Sequence, residues 1–410
     1  MYNKNTIEQT LFDHWGHTSF RSRQAEIINS IIDGDHTIAV MPTGTGKSIC
    51  YMLPVLHLPG TVIVVSPLIS LIHDQMRMAT NARIICETIS ASTSEKDRAI
   101  IYKNLSDGFY KIFFVSPEMF ITGRFKLAIC DMHIPLIVFD EAHCITQWGK
   151  GFREKYLEAA LHASVMVKSD SKIRIAAFTA TATKTTISEI IKSLGIYNSK
   201  LFTTTFYRPN LNIYVYKKRS DVISQLVETV INMRVSYGEN CSGIIYRTTQ
   251  SDVENTARRL QATGINALPY HAGQSPLARK ETQDKFICNQ CYIIVATIAF
   301  GMGIDKSNVR FVIHADMPKS IEGYYQEIGR AGRDGEASDC IFFYSISDFT
   351  PIKKMIDKTR DKNEREVEID RLNNVLDFTG SNKCRWVSLC EYFGEEISPC
   401  GNCDYCIKNN

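Results

Sequence analysis

Eight residues from Met41 to Ser48 read MPTGTGKS, and far along the chain the acids Asp140 and Glu141 stand side by side in LIVFDEAH. Nucleotide phosphates are held by inward-pointing backbone N–H groups, a fixed cation and a hydroxyl that shares a metal ion. Thr43, Gly44, Thr45 and Gly46 supply the loop, whose two glycines let the backbone wrap closely. Lys47 offers a point charge to the β and γ phosphates of ATP, and Ser48 a hydroxyl to magnesium. Met41 occupies the place of the first glycine in G-x-x-x-x-G-K-[ST], so the loop is a variant. Two adjacent acids after a strand are commonplace alone. Beside a phosphate loop they gain a purpose: Asp140 holds magnesium and Glu141 polarises an attacking water. Phosphoryl transfer also needs cations on the developing charge. Arg330 and Arg333, in QEIGRAGRDG, are three apart and share a face if that stretch is helical.

A second constellation closes the chain. Cys384, Cys400, Cys403 and Cys406 give C-x15-C-x2-C-x2-C, with Gly401 and Asn402 where the backbone must curl. Four thiolates at such spacing fit a tetrahedral zinc ion better than a redox metal. Cys288 and Cys291 form another C-x-x-C but lack a second pair, so packing or exposed thiols is expected there. Cys390 falls in an apolar stripe with Trp386, Leu389 and Phe393, which points to a core role.

The elements that carry these residues follow from hydrophobic patterning. Short Val-, Ile- and Phe-rich runs at Thr37–Met41, Thr61–Val65, Ile112–Val115, Leu136–Phe139 and Ile173–Phe178 alternate with helix-length segments. Such runs fit strands of a parallel sheet buried on both faces. Each ends in a polar cluster: PTGTGKS, SPLIS, SPE, DEAH and TATAT. Parallel sheets bind ligands at the carboxyl ends of their strands, so five clusters there would form one continuous site edge. The stretch Phe206–Leu211 (FYRPNL) suits a linker. A second alternating region follows, with runs at Gly243–Tyr246, Tyr292–Ala296, Arg310–Ile313 and Cys340–Tyr344. The expected architecture is α/β: two parallel-sheet domains over 1–205 and 206–348, then a helical hairpin and zinc module over 349–410.

With 44% hydrophobic and 22% charged residues, the chain of 410 is globular rather than disordered, and long enough for two or three domains. A net charge of +3 permits a nucleic-acid partner without demanding one. The start, MYNKNTIEQT, has no apolar signal core, and no run approaches a membrane span. Thirteen scattered cysteines suit free thiols plus a metal site, hence a reducing, intracellular setting.

The ordered motifs FRSRQ (Phe20–Gln24), VVSPLISLIHDQ (Val64–Gln75), DEAHCITQWGKGFR (Asp140–Arg153), AFTATAT (Ala177–Thr183), YHAG (Tyr270–Gly273), VATIAFGMGIDK (Val295–Lys306) and YYQEIGRAGRDG (Tyr324–Gly335) resemble the RecQ family of the second helicase superfamily. The resemblance runs from about Leu11 to Cys406. It implies two RecA-like motor domains, with ATP, magnesium and zinc, and 3′→5′ unwinding of DNA in repair or recombination. Arg21 and Gln24 resemble the adenine-reading pair of that family, and His17 stands where an adenine-stacking tyrosine is common. His143, Gln326, Arg330 and Arg333 match residues coupling the γ phosphate to domain closure. Trp148, Phe152 and Arg153 lie in a segment resembling the aromatic-rich loop that couples DNA to hydrolysis, where Lys150 and Gly151 replace a frequent histidine and aspartate. The implied partners are single-stranded and tailed duplex DNA, met by a monomer in the nucleus or the bacterial cytoplasm. After Asn410 no sequence remains for the family's winged helix, so blunt duplexes are expected to be poor substrates; Lys383, Arg385 and Lys408 supply a modest basic surface. The same motor motifs would serve a translocase that does not separate strands. A catalytically inactive DNA-binding scaffold would have no need of Lys47, Asp140, Glu141, Arg330 and Arg333.

Overall fold

The computed structural model describes residues 4–90, 93–146, 150–301, 306–359 and 361–409, without the side chains of 4, 5 and 150–153. The chain forms two compact units, Met1–Thr205 and Phe206–Asn410.

In the first unit the apolar runs are strands: β1 (Thr37–Val40), β2 (Val62–Val65), β3 (Cys86–Thr88), β4 (Ile112–Val115), β5 (Leu136–Asp140), β6 (Arg174–Thr179) and β7 (Lys200–Thr203). All pair in parallel, in the order β3-β4-β2-β5-β6-β1-β7. Side chains alternate between two cores. Ile63, Val65, Phe113, Val115, Ile137 and Phe139 pack on one face, and Val62, Val64, Ile112, Phe114, Leu136 and Val138 on the other. Burial on both faces is why the runs are continuous rather than alternating. β3 and β7 were not legible as runs. They are short edge strands with mostly exposed or half-buried residues, and so need no continuous apolar sequence.

The second unit repeats the plan with β8 (Leu211–Lys217), β9 (Ser242–Tyr246), β10 (Ala267–Tyr270), β11 (Ile293–Ala296), β12 (Val309–His314) and β13 (Ser338–Tyr344). The order is β10-β11-β9-β12-β13-β8, again all parallel. Here too the unread strands are the two edges. β8 buries Leu211, Ile213 and Val215 but not the residues between them. β10 contains Pro269, which an edge strand tolerates because it need not donate on its outer side.

The stretch read as a linker is instead packed into the second unit. Phe206 stacks on Phe393 with ring centroids 4.4 Å apart, and its carbonyl accepts the Tyr325 hydroxyl at 2.7 Å. Arg208 donates to the carbonyls of Ala331 and Gly332 at 3.1 and 2.6 Å. Aromatic packing and a buried guanidinium outweigh what Pro209 suggests locally.

The C-terminal helices Phe349–Ile356, Lys362–Gly380, Arg385–Tyr392 and Asp404–Asn409 belong to the same unit. Trp386, fully buried, donates its indole N–H to the Leu211 carbonyl at 2.9 Å. Among the described residues no helix is long and apolar enough to cross a membrane.

Candidate active site and cysteine cluster

Parallel pairing sends the carboxyl ends of the first sheet to one edge, and strand order sets who neighbours whom. Along that edge stand SPE after β4, SPLIS after β2, DEAH after β5, TATAT after β6 and the phosphate loop after β1. The expected continuous edge is present.

Gly44 and Gly46 both hold φ of +84°, the left-handed region open to glycine, and Gly46 caps the helix Lys47–Val55. Met41 is absent from the positive-φ residues and fully buried in the core beneath the loop. Its backbone therefore does not require the glycine of the strict pattern. Thr45 closes the turn, its hydroxyl donating to the Pro42 carbonyl at 2.7 Å. The Thr43 hydroxyl and the Lys47 ammonium are buried without a hydrogen-bond partner, and the ammonium lies 3.6 Å from Glu141 Oε1. Ser48 is half-buried at the start of the helix. An ammonium with unused donors and an unpartnered hydroxyl around a backbone cradle fit an anionic phosphate.

Gln24, 2% exposed, uses its amide on this loop. It donates to the carbonyls of Thr45 and Gly46, both at 3.1 Å, and accepts the Arg21 backbone N–H at 2.8 Å. A Cβ on Gly46 would collide with that amide. Gln24 thus shapes the phosphate loop directly. Arg21 and His17 are exposed, His17 just beyond the helix Lys4–Trp15.

Asp140 ends β5 and is 3% exposed. Burial pushes its carboxyl up to about 7, the Glu141 charge adds to this, and the Lys47 ammonium and Gln75 amide pull it back. Gln75 donates to Asp140 Oδ2, and the Tyr156 hydroxyl to the Asp140 carbonyl. A buried carboxylate with excess negative charge around it suits a divalent cation such as magnesium. Glu141 follows in the left-handed region, φ 51° and ψ 48°, at a cost of about 1–2 kcal/mol. That turn sets the carboxylate beside Lys47 and within 3.4 Å of His143 Nδ1. His143 Nδ1 also meets Thr179 Oγ1 at 3.0 Å. The Thr179 hydroxyl donates to the Thr181 carbonyl at 2.9 Å. Gln75, Tyr156 and Thr179 were not singled out from the sequence, although Gln75 and Thr179 lie inside the motifs quoted above.

In the second unit, the helix Ile321–Ile328 carries half-buried Gln326. It stops before the arginines, so the shared helix face expected of Arg330 and Arg333 does not exist. Both lie in turns, where Gly332 at φ +52° abuts Asn210 and Glu336. Arg330, 8% exposed, donates to the Gly301 carbonyl, and a Cβ on Gly301 would crowd its guanidinium. Trp148 lies outside the described residues, as do the side chains of Phe152 and Arg153.

The four cysteines converge. Their sulfurs all lie within 4.8 Å of one another, with Cys384 3.4 Å from Cys400 and 3.9 Å from Cys403. Four sulfurs about 2.3 Å from a zinc ion sit roughly 3.8 Å apart, so the cluster fits. Backbone N–H groups of Cys400, Arg385 and Cys406 point at the sulfurs of Cys384 and Cys403, at 3.2 to 3.5 Å. Cys390 is buried in the apolar stripe, outside the cluster. Cys288 is exposed and Cys291 buried, its thiol 3.2 Å from the Ile293 carbonyl.

Comparison with known proteins gives three family matches: DEAD/DEAH box helicase over residues 21–190, helicase conserved C-terminal domain over 221–335, and RecQ zinc-binding over 346–407. An ATP-dependent DNA helicase RecQ of Haemophilus influenzae is 38% identical over 98% of this chain, which spans 64% of that protein's length. A putative ATP-dependent RNA helicase of Acanthamoeba polyphaga mimivirus is 37% identical, covering 96% of this chain and 70% of its own. Among solved structures, a DUF1998 helicase MrfA bound to DNA aligns with a TM-score of 0.68 at 18% identity, over 98% of this chain and 60% of that one.

Proposed function

The chain belongs to the RecQ family, and we propose that it is an ATP-driven DNA helicase moving 3′→5′ along single strands and opening tailed duplexes, in DNA repair or recombination inside the cell. The observation that carries this is the Lys47 ammonium, buried, without a hydrogen-bond partner and 3.6 Å from Glu141. Its ion pair with Glu141 leaves the donors of the ammonium unused, so they are available to phosphate oxygens. In this reading the loop from Thr43 to Gly46 wraps the phosphates of ATP, and Lys47 leaves Glu141 for them. Ser48 and Asp140 would hold magnesium, which supplies positive charge to the phosphate oxygens. Glu141 then orients and deprotonates the attacking water, with His143 fixing its carboxylate. Arg330, Arg333 and Gln326 are assigned to the developing γ-phosphate charge. Cys384, Cys400, Cys403 and Cys406 hold zinc as a structural ion. Trp148, Phe152 and Arg153 stack on and pair with the strand, linking its arrival to hydrolysis.

The experiment is strand displacement on partial duplexes with 3′ tails, 5′ tails or blunt ends, with ATP and magnesium, and a parallel set with RNA tails. Displacement of the 3′-DNA-tailed substrate alone is the expected result. DNA-stimulated hydrolysis without displacement would make the chain a translocase, and no hydrolysis would make it a scaffold.

A further inference from the structure

The helix Ile321–Ile328 is buried along most of its length. Of its eight residues only Gly323 and Gln326 keep appreciable exposure; Ile321, Glu322, Tyr324, Tyr325, Glu327 and Ile328 are all buried. Much of the grip comes from the cysteine module. Tyr325 packs edge-on against Phe393 at 5.1 Å and Trp386 at 6.5 Å, and Tyr324 lies 5.5 Å from Phe378. A polar contact also joins the two. The Tyr392 hydroxyl donates to Glu322 Oε1 at 2.8 Å, and Glu322 is only 4% exposed.

The module's own geometry traces to its sulfurs. Cys384 is the residue before the helix Arg385–Tyr392, the Arg385 N–H points at Cys403 Sγ, and the Arg385 guanidinium pairs with Asp404 at 2.9 Å through both arms. The orientation of that helix, and so of Tyr392 at its end, depends on the sulfurs being drawn together. The gripped helix in turn presents Gln326 and leads into Arg330.

We propose that Tyr392 is a positioning residue for ATP hydrolysis: through its hydrogen bond to Glu322 it ties the cysteine module to the helix bearing Gln326, so that the module sets turnover as well as contributing to the grip on DNA. This rests on the ATPase reading above. A hydroxyl on a buried carboxylate is a charge-assisted, directional contact, so it adds a fixed orientation to the packing of the surrounding rings.

The test compares Tyr392→Phe, Glu322→Gln, Glu322→Ala and the double variant Tyr392→Phe with Glu322→Ala, in the full chain with zinc content measured. Tyr392→Phe is expected to lower kcat for DNA-stimulated hydrolysis about fivefold, with KM for ATP, affinity for single-stranded DNA, zinc content and melting temperature near wild type. Glu322→Gln keeps an acceptor and should stay close to wild type. Glu322→Ala should match Tyr392→Phe, and the double variant should be no worse than either. Unchanged kcat in Tyr392→Phe beside an active wild type overturns the proposal. So does a fall in kcat that comes with loss of zinc, melting temperature or DNA affinity, because the hydroxyl then only holds the fold. Wild type without DNA-stimulated hydrolysis would instead remove the ATPase reading beneath it.

Discussion

His143 Nδ1 lies 3.0 Å from Thr179 Oγ1, a contact that ties the turn after β5 to the end of β6. The Thr179 hydroxyl also donates to the Thr181 carbonyl at 2.9 Å. Thr179→Val keeps the shape and removes the hydroxyl that holds the ring, leaving Nδ1 to turn towards Glu141 Oε2, now 3.4 Å away. One such bond is worth about 1 kcal/mol net, so kcat for DNA-stimulated ATP hydrolysis should fall roughly five- to tenfold with KM little changed. Thr179→Ser should retain most activity. Steady-state kinetics check both, and a KM effect alone would assign Thr179 to nucleotide binding.

Lys47→Ala should reduce hydrolysis to background, because the ammonium is the one charge the phosphate loop itself contributes. Binding of single-stranded DNA should survive. Lys47→Arg should not restore turnover, since a planar fork does not replace a compact point charge beside Glu141. A turnover assay with a fluorescent-strand binding control separates these outcomes.

Met41→Gly would bring the loop to the strict phosphate-binding pattern, yet it should not improve ATP affinity. Met41 is fully buried in the core and has no positive φ to relieve. Loss of its side chain should destabilise the first unit by about 2–5 kcal/mol. Urea unfolding and nucleotide titration measure the two effects separately.

For Trp148→Ala and Phe152→Ala, basal hydrolysis should persist while stimulation by single strands drops. Stacking on an aromatic ring is worth about 1–3 kcal/mol per base. Titrating hydrolysis against DNA concentration tests this. Unchanged stimulation would leave these two residues with a packing role.

Cys403→Ser removes a fully buried sulfur that receives backbone N–H groups from Arg385 and Cys406. Metal affinity in such a module is folding energy. The variant should lose bound zinc and melt at lower temperature, read by metal analysis and calorimetry. Wild type purified without zinc or any equivalent ion would remove the metal reading of the cluster.

Local pattern was enough for most of the sheet and for singling out residues that the fold brings together. MPTGTGKS and the adjacent acids meet at the Lys47–Glu141 ion pair, and the four cysteines, picked out by type and spacing, converge. The buried runs name their strands because burial on both faces leaves no polar alternation to confuse the pattern. Edge strands β3, β7, β8 and β10 escaped, since half-exposed backbone places little demand on side chains. The helix end at Ile328 escaped too, because no local signal outweighed the helical spacing of Arg330 and Arg333. Gln24 on the Gly46 carbonyl, Gln75 on Asp140 and Thr179 on His143 join residues 22, 65 and 36 positions apart. Such pairs arise only once strand order has been set by packing. That order, β5 beside β6 beside β1, brings DEAH, TATAT and the phosphate loop together, although chain order alone would have put β2 next to β1.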